Sequence, residues 1–585
     1  MSDTITIEKK ESILSSNNIE NYPEHVPKNL DYETHPIYTY LERSAENYPN
    51  NVSTIFFDKK LTYKQLWTNT LKFAFSLKKL GLQQGDRVAI YLPNCPQFLI
   101  SFFAINRIGC IIVPFNSQYV DHEVVYQIND SGAKAIICVD IVYPRVARLQ
   151  KEGKINTIEH IIVASLRDEM TFSKKLVGTV FFRVPLEKKP KEGHLSFKKM
   201  INGAKPFNEK VEIDTANDLA IIQYTGGTTG VSKGAMLTHD NIVKNQQQLT
   251  SWMYPPVVMG EEVYMCALPL FHIYALNVIM IAAISQASKI VLIPDPKAGS
   301  PMFQDLLESL AKYKPTFFHA IPTLYLGLLY HPDIKDYDLT SIRACISGAA
   351  PLPVETMLNF EEMTGANVVE GFGSTELSPV SHCNPIDHFL KRPGSVGFPV
   401  PDTTYKIVDT DDHTKILPWG EEGEIAVKGP QLMKGYWNKP DETKAIMTED
   451  GFYLMGDIGK IDLEGYLVIT DRKKNMIDVS GLKVYPRDVE EVLYEHPAVS
   501  EVAVVGIPHK FRGETVKAFI VLRENETGTP EEFMEFCKGR MARFKVPREV
   551  EFLDELPRSA VGKILHRELR EREWKKAGKS KNIDT

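Results

Sequence analysis

Cysteine is sparse. The 585 residues contain seven (Cys95, Cys110, Cys138, Cys266, Cys345, Cys383 and Cys537), an odd number with no CxxC pair and no His/Cys cluster. A chain this long buries its own core without covalent staples, so the pattern argues against a disulfide framework and a structural zinc site, and predicts reduced core thiols in a cytoplasmic protein. Long apolar runs are missing too. A membrane span needs roughly 18 uninterrupted apolar residues, but 98–115 is broken by Asn106 and Arg107, and 274–293 by Asn277, Gln286 and Lys289. Both stretches read as buried α/β core. There is no basic surplus, with 68 Lys+Arg against 75 Asp+Glu and a net charge of -7, which excludes the usual profile of a nucleic-acid binder. The 36 Gly and 36 Pro show no collagen-like period, and no repeat of 20–50 residues is present. The first 35 residues, where Glu8, Lys9, Lys10 and Glu11 precede a short apolar patch, match neither a secretory signal nor a presequence.

What is present is an alternating pattern. Apolar runs at 87–92, 110–114 and 135–139 alternate with amphipathic stretches such as 63–80, which predicts parallel strands covered by helices. Residues 1–35 read as a polar, loosely ordered arm. A charge cluster, Asp471-Arg472-Lys473-Lys474-Asn475, follows an apolar strand at 465–469 and precedes a compact αβ pattern. In that pattern Val489, Val492 and Leu493 mark a helix face, 502–505 and 518–522 read as strands, and 531–537 as a further helix. The expected organisation is an arm (1–35), a large α/β domain (36–473), a small mobile αβ domain (474–572) and a polar tail (573–585).

Four segments carry chemistry. The strand-length run 219–223 feeds into Tyr224-Thr225-Gly226-Gly227-Thr228-Thr229-Gly230-Val231-Ser232-Lys233-Gly234. Its glycines permit close backbone approach, its N–H groups and threonine hydroxyls suit phosphate oxygens, and Lys233 adds positive charge. It is not the GxxxxGK[ST] pattern, since Ser232 precedes Lys233, and a glycine-rich surface turn is the competing reading. Gly371-Phe372-Gly373-Ser374-Thr375-Glu376 puts a ring, two hydroxyls and a carboxylate within one turn, a set able to stack a base, touch phosphate and hold Mg²⁺. Asp457 ends Tyr453-Leu454-Met455-Gly456-Asp457 after a short strand, placed to accept from ribose hydroxyls. Lys563 ends the loop Pro557-Arg558-Ser559-Ala560-Val561-Gly562-Lys563. Taken singly, Asp457 can cap a turn, Arg472 can sit in a surface ion pair and Lys563 can be a solvated tail residue.

Together these segments resemble the adenylate-forming enzymes of the acyl-CoA synthetase superfamily, and within it the bacterial-type long-chain fatty acid–CoA ligases. The resemblance covers about 36–572. It rests on YTGGTTGVSKGAMLTH (224–239), LPLFHIYAL (268–276), GFGSTE (371–376), VKGPQLMKGYW (427–437), GFYLMGDIGKIDLEGYLVITDRKKNMI (451–477), SGLKVYPRDVEEVL (480–493) and LPRSAVGKILHRELR (556–570). It implies a large N-terminal adenylate-forming domain with mixed sheets, a small mobile C-terminal domain, and a two-step reaction. A carboxylate attacks the α-phosphorus of ATP to give acyl-AMP and pyrophosphate, then coenzyme A displaces AMP. It places Thr225, Gly226, Gly227, Thr228, Thr229, Gly230 and Lys233 at the phosphates, and Glu376 with Thr228 at Mg²⁺. Gly348, Ala349, Gly371, Phe372 and Thr375 go to the nucleotide, with Phe372 where tyrosine usually stacks on adenine. Asp457 and Arg472 go to ribose and phosphate. Lys563 becomes the adenylation lysine, Lys474 the hinge, Ser480 and Gly481 part of the coenzyme A tunnel loop, and His272 the acyl/thiol junction.

Amino-acid-activating relatives carry Asp where this chain has His272, which disfavours an amino-acid substrate. Small residues at Ala275, Ala282, Ala283, Gly348, Ala349 and Ala350 leave room for a medium or long acyl chain, or are close-packed core. Residues 170–190 mix Leu176, Val177, Val180, Phe181, Phe182 and Val184 with Lys174, Lys175, Arg183, Lys188 and Lys189, as a surface contact with the inner face of an anionic membrane would, or as an ordinary insertion would. Relatives include homodimers, though nothing in the sequence marks an interface. Competing functions are a CoA ligase for an aryl or short hydroxy acid and a non-catalytic ATP-binding protein of the same fold.

Overall fold

The computed structural model describes residues 13–171, 190–225, 232–387, 389–480, 482–509, 512–524, 526–559 and 564–578. The alternating runs form a seven-stranded sheet. In order across it lie Gly234–Thr238, Leu219–Tyr224, Ile111–Pro114, Arg87–Tyr91, Ala135–Val139, His160–Ala164 and Leu195–Ser196. All neighbours are parallel except the first pair, a hairpin. The amphipathic stretch is the helix Tyr63–Lys79. Its start is fixed by reciprocal bonds, Gln65 N–H to Thr62 Oγ1 at 3.2 Å and Thr62 N–H to Gln65 Oε1 at 2.9 Å. The run at 98–115 resolves into the fully buried helix Pro96–Arg107 and the strand Ile111–Pro114. That at 274–293 becomes a buried π-helical segment, Tyr274–Ile281, a short helix, Ala282–Ser285, and the strand Lys289–Leu292. Among the described residues no helix is long and apolar enough to cross a membrane. All seven cysteines are buried and unpaired by disulfide.

Two four-stranded sheets lie beside the first. One orders Val263–Cys266, Lys289–Leu292, Val52–Phe56 and Lys59–Thr62, and the other Ala344–Ser347, Asn367–Gly373, Val380–Cys383 and Phe398–Pro399. Phe317 bridges them by pairing with both Tyr264 and Ala344. A five-stranded antiparallel sheet contains Leu14–Ser15, Thr404–Val408, Gly423–Lys428, Tyr453–Ile461 and Leu467–Arg472. Its first strand corrects one expectation. Residues 13–35 are packed rather than loose, because Leu14, Ile19, Tyr22 and Val26 are buried in the main core and Tyr22 Oη donates to the Pro399 carbonyl at 3.0 Å. Scattered among polar neighbours, those four apolar side chains carry no periodicity by which to see them.

After Leu467–Arg472 a single turn, Lys473–Asn475, leads into a smaller sheet built on Ile477–Val479, Leu482–Val484, Val499–His509, Gly513–Leu522 and Glu549–Phe552. The helix Pro486–Tyr494 buries Val489 and Leu493 against it, and Pro530–Lys538 covers it further. The junction is densely hydrogen-bonded. Arg487 donates its backbone N–H to Asp471 Oδ2 at 2.9 Å and its guanidinium to the Ile469 carbonyl at 2.8 Å. Arg570 donates to the carbonyls of Lys474 and Asn475 at 2.8 and 3.1 Å. Burial, with Glu490 adding, pushes the Asp471 carboxyl up to about 6. Burial opposes a charged His566, but the Glu490 carboxylate 2.8 Å away and Asp471 outweigh both that and the neighbouring Arg570, raising the imidazole.

One side chain ties the large region's loops together. Buried Asn94 accepts from Leu270 N–H at 2.8 Å and donates to the carbonyls of Leu268 (2.8 Å), Ile293 (3.1 Å) and Cys266 (3.2 Å). Asn94→Leu strands these backbone groups and is expected to cost about 3 kcal/mol in denaturant unfolding; a loss under ~1 kcal/mol contradicts this role. At the junction, both raised groups stabilise when protonated. Their contribution is present below the unfolded values of 3.8 (Asp471) and 6.5 (His566) and fades as pH rises through the folded ones. Proteolytic cutting at 473–475 should therefore slow between about pH 8 and about pH 5.5, and His566→Gln should flatten that slope. Unchanged pH dependence in the variant would remove His566 from the account.

Candidate nucleotide and acyl site

The strands Leu219–Tyr224 and Gly234–Thr238 pair from Gly234 opposite Tyr224, and the ladder continues to Thr225, whose N–H donates to the Lys233 carbonyl at 2.9 Å. Ser232 Oγ closes on the Thr225 carbonyl. Thr225 and Lys233 thus stand at the two roots of the glycine-rich loop. Gly226, Gly227, Thr228, Thr229 and Gly230 lie outside the described residues. Gly234 has to be glycine, since a Cβ there would sit 2.6 Å from Ile222 Cγ2. Lys233 pairs with Glu442 and lies over the Tyr436 ring, 5.2 Å from its centroid.

A segment distant in sequence closes the hairpin's far edge. Met236 N–H donates to the Gly435 carbonyl (2.9 Å), Lys434 N–H to Met236 (3.0 Å) and Trp437 N–H to Gly234 (2.8 Å). The same segment reaches the GFGSTE turn, where Met433 N–H donates to the Glu376 carbonyl at 2.8 Å and Tyr436 Oη to Glu376 Oε1 at 2.6 Å. Asn241, in the first turn of the helix His239–Trp252, holds 430 and 432 by donating to their carbonyls at 3.1 and 2.9 Å.

GFGSTE itself spans the end of the strand Asn367–Gly373 and a tight turn, Thr375–Leu377. Gly371 and Gly373 are required by contact. A Cβ would come 2.7 Å from Ile346 Cγ2 at the first and 2.0 Å from the Pro379 carbonyl oxygen at the second. Phe372 is half-buried opposite His382, while Thr375 is half-buried and Glu376 buried. Directly before Gly371, burial pushes the Glu370 carboxyl up to about 7.

Asp457 and Arg472 are cross-strand partners with Nε–Oδ1 at 2.7 Å, and the Asp457 side chain is only 5% exposed. Asp457 above all, then Tyr453 and Glu376, hold the Arg472 guanidinium firmly charged. Burial, then the carboxylates of Glu376 and Asp457, drive the Tyr453 phenol far above its usual range. The roots of the glycine-rich loop, Glu376, Asp457 and Arg472 therefore belong to one electrostatic neighbourhood.

A small apolar cavity of about 10 Å³, room for about one water, is lined by Leu268, Pro269, His272, Tyr274, Ala275, Ile321 and Ala349. His272 Nδ1 accepts from Tyr274 N–H at 3.2 Å, which puts the proton of the neutral ring on Nε2. Ala349 follows the strand Ala344–Ser347 with φ +68°, and Gly348 lets the Tyr274 ring in, at 3.2 Å from the position a Cβ would take. Tyr274 Oη donates to the Ile346 carbonyl at 2.5 Å. Ala275 and Ala349 line this space, whereas Ala282 and Ala283 are core: Tyr63 Oη reaches the Ala283 carbonyl at 3.3 Å. Gln223, on the strand entering the glycine-rich loop, donates to the Phe271 carbonyl at 2.9 Å, which ties that strand to the histidine segment.

Lys474 is the middle of the junction turn, and Ser480 sits in the turn after Ile477–Val479 with φ +58°. Gly481, Lys563 and residues 172–189 of the apolar and basic stretch lie outside the described residues. On either side of Lys563, Arg558 bridges to Ile564 and Leu565 N–H donates to the Pro557 carbonyl at 2.8 Å. Tyr436, Tyr453, Glu442, Gln223 and Asn94 were not singled out from the sequence. The only signal of the first four was a place inside or beside a motif, where a tyrosine or amide reads equally well as core, and Asn94 had none.

A buried carboxylate is a fitting ligand for a hard cation. Glu376 is such a carboxylate, and among the described residues no group of three or more His, Cys, Asp or Glu is placed to hold a metal ion. Residues 41–437 match the family model "AMP-binding enzyme", and 488–563 match "AMP-binding enzyme C-terminal domain". A long-chain-fatty-acid–CoA ligase of Bacillus subtilis (strain 168) is 42% identical over 564 residues, 94% of this chain and 97% of that protein. One from Escherichia coli O6:H1 is 38% identical over 559 residues, 94% and 97% of the two chains. Among solved structures, ATP-bound MatB from Rhodopseudomonas palustris superposes with TM-score 0.80 at 30% identity, covering 93% of this chain and 100% of that one. The anthranilate CoA ligase AuaEII with anthranoyl-AMP gives 0.81 at 26%, covering 93% and 98%. With two family models matched in order and a relative this similar over nearly its whole length, the chain belongs to the AMP-binding enzyme family.

Proposed function

We propose that this protein is an ATP-dependent fatty acid–CoA ligase. The observation that carries the proposal is the meeting, beside an apolar cavity, of the phosphate-loop roots, Glu376 and the Asp457–Arg472 pair. Long-chain-fatty-acid–CoA ligases at 35–42% identity over nearly the full chain support the substrate class.

In the first step a carboxylate oxygen bonds to the α-phosphorus of ATP and the bond to the bridging oxygen of pyrophosphate breaks. Two anions must approach, so donors and cations have to meet the developing charge. Thr225, Lys233 and the loop 226–230 would supply them at the phosphates, Lys563 at the carboxylate and α-phosphate, and Asp457 would accept from ribose while Arg472 stays charged beside it. Phe372 would cover the adenine, with Gly348 and Ala349 at its edge. Glu376, with Thr228, would hold Mg²⁺, which when bound supplies charge neutralisation on the phosphates. In the second step the coenzyme A thiolate bonds to the acyl carbonyl carbon and AMP leaves with its oxygen. Lys474 would be the pivot, with Ser480 and Gly481 brought towards the thiol path and His272 at the junction of thiol and acyl group.

The cavity, with room for about one water as it stands, would be the start of the acyl path and would widen to take the carboxylate-proximal end of the acid. Its walls are apolar, the Tyr274 hydroxyl being spent on Ile346, so each methylene buried there gains ~0.8 kcal/mol. Residues 170–190 would meet the inner face of an anionic membrane, where such acids partition.

The test is AMP, pyrophosphate and thioester formation from ATP·Mg²⁺ with a panel of acids from short to long chain plus coumarate, each with and without coenzyme A. CoA-dependent AMP formation peaking at a medium or long acid is expected. Lys563→Ala should slow acyl-AMP formation by about 10²–10³ while still converting supplied acyl-AMP to thioester. A preference for coumarate would move the enzyme to aryl acids, and silence with ATP bound would leave a binding protein.

A further inference from the structure

Tyr436 belongs to none of the groups that would touch substrate, yet it contacts two that would. Its hydroxyl donates to Glu376 Oε1 at 2.6 Å, and its ring lies under the Lys233 ammonium, 5.2 Å away. The side chain has little freedom. Tyr436 is 7% exposed, bridges to Ala235 on the strand leaving the phosphate loop, and donates its N–H to Thr443 Oγ1 at 2.8 Å. The preceding Gly435 has φ +137°, and a Cβ there would come 2.8 Å from Thr443 Cγ2. Both neighbours of the tyrosine are thus shaped to seat it.

A carboxylate has two oxygens and rotates about its terminal bond. With Oε1 fixed by Tyr436, that rotation is stopped, and among the described residues Oε2 has no hydrogen-bond partner. Lys233 meanwhile is held by Glu442, which also takes Lys439 at 2.9 Å. Incoming phosphates would have to draw the ammonium from Glu442 across the same ring.

We propose that Tyr436 is a positioning residue that orients Glu376 for the cation carried in with ATP and keeps that carboxylate in register with Lys233. This rests on the nucleotide site proposed above. It assigns the Mg²⁺-dependent part of ATP affinity, rather than affinity as a whole, to a hydroxyl that touches neither metal nor nucleotide. Partners of ligating groups commonly govern metal affinity about 10–100-fold.

The test is calorimetric titration of the full-length protein with ATP, without acid or coenzyme A, in Mg²⁺ and in EDTA. The ratio of the two affinities isolates the metal's share. Tyr436→Phe keeps the ring under Lys233 and should lower the ratio about tenfold or more with the EDTA affinity unchanged. Glu376→Gln should lower it too, and the double variant should fall no further than Glu376→Gln alone. Thr443→Val, which loosens the seat without removing the hydroxyl, should lower the ratio by a smaller factor. An unchanged ratio in Tyr436→Phe overturns the proposal, as does an equal loss in both buffers, the mark of a merely structural tyrosine. A wild-type protein that binds no ATP in either buffer overturns the nucleotide site itself, and with it both proposals.

Discussion

The hydrogen bonds made by residues 433–437 are the constraint on which the site depends. On one side they extend the strand Gly234–Thr238, and on the other they hold the Glu376 turn through Met433 and Tyr436. The roots of the glycine-rich loop and the GFGSTE turn come from different sheets and are separated by more than a hundred residues of sequence. Backbone bonds fix distances to tenths of an ångström, which side-chain packing alone does not, and electrostatic stabilisation of a moving charge requires that accuracy.

The remaining charges follow the same logic at lower accuracy. Asp457 and Arg472 face each other across adjacent strands, so their pairing is set by register. Beyond Arg472 the chain enters a turn whose carbonyls are held by Arg570 and whose flanking carboxyl, Asp471, is bonded to Arg487 of the smaller domain. At this turn the smaller domain is thereby fastened by polar contacts. Such contacts can be exchanged without stripping apolar surface from its partner, which would suit the pivot proposed at Lys474.

The sequence was most legible where backbone geometry demands a particular residue. Gly234, Gly371 and Gly373 each sit where a Cβ would collide with its surroundings, and each is a glycine inside one of the quoted motifs. Strands of the parallel sheet were legible because they are buried on both faces and read as continuous apolar runs. The packed segment 13–35 was not, since its anchors are single residues at irregular spacing. Nor was the Tyr436–Glu376 contact, or the pairing of Lys233 with Glu442: both join residues far apart in sequence, and a tyrosine in GYW reads as core. The small residues show the same limit, as sequence could not separate Ala275 and Ala349 at the cavity from Ala282 and Ala283 in the core.

The central claim is that one site joins a fatty carboxylate to the α-phosphorus of ATP before coenzyme A takes part. Exchange of labelled pyrophosphate into ATP tests it directly, because only a reversible adenylation returns label to the nucleotide. Exchange that requires a medium- or long-chain acid and Mg²⁺, and proceeds without coenzyme A, is the predicted result. Exchange that is absent with every acid, or that appears only when coenzyme A is added, would contradict the account.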